Sequence, residues 1–225
     1  HGSASGIVSG LVGDVADTVL GGDPNEQAFG AHARTAGDVN GDGLSDLLLA
    51  CHFCGTAYVV LGSATPSAGG VVTSLALDVI MAADLGLGSL SALAPAGDVD
   101  GDGFGDLIFG DHWNDAEAND AGAAVLVRGS AAGLSTGSAA DVAAVALQGS
   151  TADDLFGERL ASAGDVNGDG YDDVLIAAEG ADVDILDEAG KVFFFLGGPF
   201  GLPGGPAEAG ASAVITGSLP FEHLG

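Results

Sequence analysis

Apolar residues fall in short runs that recur in the same order three times along the chain. LLLA (47–50), LIFG (107–110) and VLIA (174–177) are continuous: Leu47, Leu48 and Leu49, then Leu107, Ile108 and Phe109, then Val174, Leu175 and Ile176. A strand with one face in water alternates apolar and polar positions, so an unbroken run this short reads as a strand covered on both faces. Ahead of each run lies a segment ending in Ala-Gly: AHARTAG (31–37), SALAPAG (91–97) and ERLASAG (158–164). Behind each comes TAYVVLGS (56–63), AAVLVRGS (123–130) or KVFFFLGG (191–198). After a Gly/Ser/Pro-rich connection follows a fourth segment, SLALDVIM (74–81), DVAAVALQ (141–148) or ASAVITGS (211–218). Four short antiparallel strands per unit, repeated, are the pattern of a propeller blade, and face-to-face stacking of blades supplies the double cover. The expected fold is all-β: a β-propeller with three complete four-stranded blades, over residues 29–88, 89–155 and 156–220. Residues 1–28 carry a surplus outer strand and residues 221–225 begin a further unit.

Between the first and second strands of every unit stands one nine-residue stretch: DVNGDGLSD from Asp38, DVDGDGFGD from Asp98 and DVNGDGYDD from Asp165, spaced 60 and then 67 residues apart. Hard oxygen donors at alternate positions, with glycines where the chain must turn, are what a short loop needs to wrap Ca²⁺. The expected ligands in the first loop are the side chains of Asp38, Asn40, Asp42 and Asp46 with the carbonyl of Leu44. The second offers Asp98, Asp100, Asp102 and Asp106 with the carbonyl of Phe104, and the third Asp165, Asn167, Asp169 and Asp173 with that of Tyr171. Three calcium ions are therefore expected. An EF-hand opens in the same way but closes with Glu at position twelve between two helices. Here position twelve is Leu49, Phe109 or Ile176, the closing acid comes at position nine, and strands follow.

Composition agrees with many strands and tight turns, with 40 glycines in 225 residues. The formal charge is −28, from 32 acids against 4 bases. Such a surface repels phosphate backbones and anionic lipid, which leaves cations, sugars and proteins as partners and excludes nucleic acid. No run approaches the roughly 18 apolar residues that cross a bilayer, so no membrane insertion is expected. Calcium loops this simple commonly bind at about 10⁻⁴ to 10⁻³ M, which suits an extracellular, secreted or cell-surface setting.

These units resemble the FG-GAP repeat of the integrin α-subunit propeller and of secreted proteins that share it. The resemblance rests on Phe29-Gly30 and Phe156-Gly157 ahead of the loops and on the three complete DxDxDGxxD-type stretches, and it covers about residues 15 to 225. The middle unit reads Ser89-Leu90 where Phe-Gly is expected. The Gly-Ala-Pro end of the pattern stands as Ala50-Cys51-His52, Gly110-Asp111-His112 and Ala178-Glu179-Gly180. The resemblance implies a calcium-binding propeller, commonly of seven blades, serving adhesion, recognition of a protein or carbohydrate ligand, or assembly. The rival readings are a non-catalytic part of a larger secreted enzyme and a structural subunit of a cell-surface layer or filament. On either the adhesion or the assembly reading, another chain or the rest of a longer parent chain is expected to complete the propeller.

The remaining chemistry is sparse. Cys51 and Cys54 sit in the short loop between the second and third strands of the first unit; a disulfide stapling that loop is expected, with free thiols or metal chemistry as alternatives. The same connection is longer in the other units, at 111–122 and 179–190, and length variation on a fixed scaffold is where ligand contacts are expected. His52, His112 and Glu179 each lie fourteen residues after the first Asp of their loop, so they either contribute to one ring near the axis or are ordinary exposed loop residues. Trp113 is a candidate for stacking on a sugar ring or a loop anchor. The five histidines are spread along the chain, with only His32 and His52 in one unit, and no nucleophile is paired with a base, so no enzymatic activity is expected.

Overall fold

A computed structural model describes residues 20–21, 29–51, 55–63, 70–71, 78–134 and 145–225. Its strands, in chain order, are β1 (Leu20–Gly21), β2 (Phe29–Gly37), β3 (Asp46–Cys51), β4 (Thr56–Val60), β5 (Gly70–Val71), β6 (Asp78–Met81), β7 (Ala92–Gly97) and β8 (Asp106–Asp111). They continue as β9 (Ala123–Val127), β10 (Val145–Gln148), β11 (Phe156–Gly164), β12 (Asp173–Ala178), β13 (Lys191–Phe195), β14 (Gly205–Pro206) and β15 (Ala213–Thr216). Three antiparallel meanders result: β2-β3-β4-β6, β7-β8-β9-β10 and β11-β12-β13-β15. In each, the continuous apolar run forms the second strand, with Leu48 opposite Val59, Ile108 opposite Leu126 and Ile176 opposite Phe193.

The double cover predicted for those runs is realised in the middle sheet. Successive side chains of a strand point to opposite faces. Accordingly Leu107, Phe109, Val125 and Val127 pack into one cluster with Leu48, Val59 and Ile80 of the first sheet. Ile108, Ala124, Leu126 and Leu147 pack into a second cluster with Val174, Ile176, Phe193 and Phe195 of the third. All six residues of β8 are buried. Each large side chain so covered contributes about 2 kcal/mol of transfer free energy, so stacking of sheet on sheet is what holds the molecule together.

The Phe-Gly pair has a packing reason. Phe156 is buried edge-on against Phe193, with ring centroids 5.3 Å apart, and Gly157 follows at φ 90° where the β11–β12 register shifts. A Cβ on Gly157 would sit 2.5 Å from the Ala123 carbonyl oxygen, so only glycine lets β11 approach the middle sheet this closely. In the middle unit, where the sequence has Ser89-Leu90 instead, the buried Asp111 carboxylate takes over: its oxygens accept from the Gly88 and Ser89 amides and from Ser89 Oγ at 2.6–3.1 Å.

Two short parallel pairings were not foreseen. β14, in the connection between β13 and β15, pairs with β10 of the preceding sheet and makes it five-stranded, with Gly205 opposite Leu147. β1 pairs with β5 in the same manner, Leu20 opposite Gly70. Leu20 stands nine residues before Phe29, as Leu147 stands nine before Phe156, so β1 holds toward the first sheet the place that β10 holds toward the third. The rest of residues 1–28, where a surplus outer strand is expected, lies outside the described residues. At the other end, the amides of Phe221, His223 and Leu224 donate to the carbonyls of Asp187, Glu188 and Ala189. The amides of Asp153, Leu155 and Phe156 donate likewise to Asn119, Asp120 and Ala121, which places Leu224 against the third sheet as Phe156 lies against the second.

Candidate metal centres

The three acidic loops fold alike, residue for residue. The position-one carboxylate accepts from the amides of positions five and six: Asp38 from Asp42 and Gly43 at 3.0 and 2.7 Å, Asp98 from Asp102 and Gly103 at 3.0 and 2.9 Å, Asp165 from Asp169 and Gly170 at 3.1 and 2.9 Å. Position five accepts from position seven, as in Asp102 from Phe104 at 3.0 Å. Glycines at positions four and six have φ of 73° and 91° in the middle loop and similar values in the others, the left-handed backbone the turn demands.

Position nine is the pin of each loop. Asp46, Asp106 and Asp173 are fully buried, and each uses both oxygens. One accepts from the amide of position two (Val39, Val99, Val166, at 2.9–3.0 Å) and the other from the glycine two residues beyond the third strand (Gly62, Gly129, Gly197, at 2.7–3.0 Å). Burial drives the Asp106 carboxyl up to about 7 against the pull of those two amides, and raises Asp46 for the same reason. Asp165, held mainly by the Gly170 amide, is shifted down.

Neighbouring loops also hold one another. The Gly105 amide donates to the Asp38 carbonyl at 2.7 Å, and the Asp172 amide to the Asp98 carbonyl at 3.0 Å. The Phe104 ring lies over Gly41 and the Tyr171 ring over Gly101, each 2.8 Å from where a Cβ would be. The Asp172 carboxylate accepts from the Asp98 amide at 2.9 Å. The loops therefore form a chain of contacts along one side of the stacked sheets.

The donor set suits a hard divalent cation: it is all oxygen, mostly anionic, and oriented by backbone amides. In the middle loop, one oxygen each of Asp98, Asp100 and Asp106 lie within 4.8 Å of one another. What the sequence left unseen is a cation of the chain's own. Arg128 Nη1 lies 3.2 Å from Asp100 Oδ2.

On the opposite side, the structure places His112 half-buried with its ring 4.3 Å from that of Trp113, which is 62% exposed. Burial lowers the His112 pKa despite the nearby carboxylates of Asp111 and Glu179. Glu179 forms a 4.0 Å ion pair with Arg159, and its negative charge helps raise the half-buried Glu158, whose shift is caused first by burial. His112 and Glu179 are thus neighbours, while His52 lies outside the described residues. Cys51 is buried and disulfide-bonded; the only other cysteine in the sequence, Cys54, lies outside the described residues.

Stacked four-stranded antiparallel meanders are an architecture compatible with a β-propeller. More particularly, residues 156–195, from the start of β11 across the third acidic loop to the end of β13, match the FG-GAP repeat family.

Proposed function

We propose that this chain is a calcium-stabilised β-propeller module that works outside the cell in adhesion, ligand recognition or assembly, without catalysis of its own. The observation that carries the reading is the shared fold of the three loops, in which every acid at positions one, five and nine is held in the same hydrogen-bonded place. Asp38, Asn40, Asp42, Asp46 and the Leu44 carbonyl would hold the first ion. Asp98, Asp100, Asp102, Asp106 and the Phe104 carbonyl would hold the second, and Asp165, Asn167, Asp169, Asp173 and the Tyr171 carbonyl the third. A bound divalent ion supplies the positive charge that three or four clustered carboxylates lack. Because the loops contact one another, ordering one stiffens the next, so calcium acts on the whole stack. Ligand contacts belong to the opposite side, where 111–122 and 179–190 carry His112, Trp113 and Glu179; the partner is a protein or carbohydrate, and another chain segment completes the propeller. The test is a melting curve. With calcium at millimolar concentration the midpoint should rise by about 5 °C or more over that in excess chelator at low salt; coincident curves would overturn the reading.

A further inference from the structure

Among the positions that offer a side-chain oxygen in all three loops, the middle loop differs from its neighbours at one, and a second difference 28 residues later matches it. Position three is Asp100 where the other loops have Asn40 and Asn167. The residue between the third strand and the glycine that donates to position nine is Arg128, where the other units have Leu61 and Leu196. Each glycine makes the same bond to its position-nine acid, so the three positions are structurally equivalent. The Asn side chains donate across the loop to position five, Asn40 Nδ2 to Asp42 at 3.2 Å and Asn167 Nδ2 to Asp169 at 2.8 Å. A carboxylate cannot donate there. Asp100 instead meets Arg128 Nη1 at 3.2 Å with its side chain only 8% exposed. The other arm of the fork, Nη2, donates to the Phe200 carbonyl at 2.5 Å. It reaches that carbonyl because Gly201, at φ 76°, has no Cβ; one would lie 2.7 Å from Nη2.

We infer that Arg128 is a resident counter-ion of the middle loop, one that offsets the additional carboxylate of Asp100, ties the loop to the third unit, and weakens calcium binding there to the level of a three-acid loop. The inference rests on the calcium reading above. At the ligand positions, four carboxylates less one guanidinium leave −3, the formal charge of the same positions in the Asn-containing loops; removing the guanidinium leaves −4. In chelator, Arg128 is then the cation that, among the described residues, pairs with an acid of this loop. In calcium, it opposes the ion.

Both effects are readable in the full chain by calcium titration calorimetry and by melting in chelator, using wild type, Arg128→Leu, Asp100→Asn and the double variant. Arg128→Leu is expected to melt about 3 °C lower in chelator yet to tighten one calcium site about fivefold. The double variant, which copies the other loops, should regain most of the lost stability and bind calcium at that site as wild type does. Arg128→Gln keeps the stem and a donor for Phe200, guards against a folding failure, and should tighten the same site. Unchanged calcium affinity in both Arg128 variants would overturn the inference. So would a chelator penalty that is undiminished in the Asp100→Asn background, since Arg128 would then act through Phe200 alone. Absence of calcium binding in all four proteins would overturn the calcium reading and with it the affinity half, while the melts in chelator still decide the pairing with Asp100.

Discussion

Asp106 has two separable tasks, a backbone pin and a carboxylate ligand. As a pin it satisfies the buried amides of Val99 and Gly129 at 3.0 and 2.9 Å, and truncation leaves both donors unpaired in the core. Each orphaned buried donor costs about 1–3 kcal/mol. Asp106→Ala is therefore expected to lose about 3 kcal/mol in urea unfolding even in excess chelator. Asp102 accepts only from the exposed Phe104 amide, so Asp102→Ala should cost less than about 1 kcal/mol in chelator and show its main loss when calcium is present. Equal losses for the two variants in chelator would contradict the pin. The alternating acids and the ninth-position Asp were legible in sequence because they lie within nine residues. The pin's second partner was not, since the glycine lies 16, 23 or 24 residues further on. Arg128 was missed for the same reason: its partner Asp100 lies 28 residues earlier in the chain.

Strands with continuous apolar runs were readable because double burial leaves a mark on every residue, as in β8. β5 and β14 left none, being two-residue pairings in Gly- and Pro-rich connections, and the strand expected ahead of residue 29 gave no sign that β1 would pair with β5. A junction between elements also hides a titrating group. Asp154, just ahead of β11, is buried beside Lys191 at the start of β13, Nζ to Oδ2 3.9 Å, and burial raises its carboxyl to about 6 although Lys191 opposes the shift. An acid whose folded pKa lies above its unfolded value of 3.8 imposes no penalty below that value. As pH rises from about 4 to 6, the unfolded chain ionises first and the folded state loses stability, on the order of 2 kcal/mol after allowance for partial solvation. Asp154→Asn removes that penalty along with the ion pair. Its stability relative to wild type should accordingly improve between pH 4 and pH 7 in urea unfolding, and parallel pH profiles would reject the account.

For the whole molecule, stacking and loop contacts run in the same direction. The middle sheet is sandwiched, whereas the first and third each keep a face with exposed apolar residues, Leu47 at 42% and Ile215 at 56%. The three-unit repeat and its four-strand period were legible because each unit repeats one order of runs and acids; the sheet-to-sheet contacts were not, because they depend on glycines whose need shows only once neighbours approach, such as Gly41 beneath Phe104 and Gly157 against Ala123. The coupled line of acidic loops joins the three units along one side and is where calcium would act on all of them. Native mass spectrometry of the intact chain, titrated with calcium after chelator treatment, tests it most directly. Saturation is expected at three calcium ions per chain, and at two when Asp38, Asp42 and Asp46 of the first loop are replaced by Asn. A chain that takes up no calcium, or the same number with and without those acids, would contradict it.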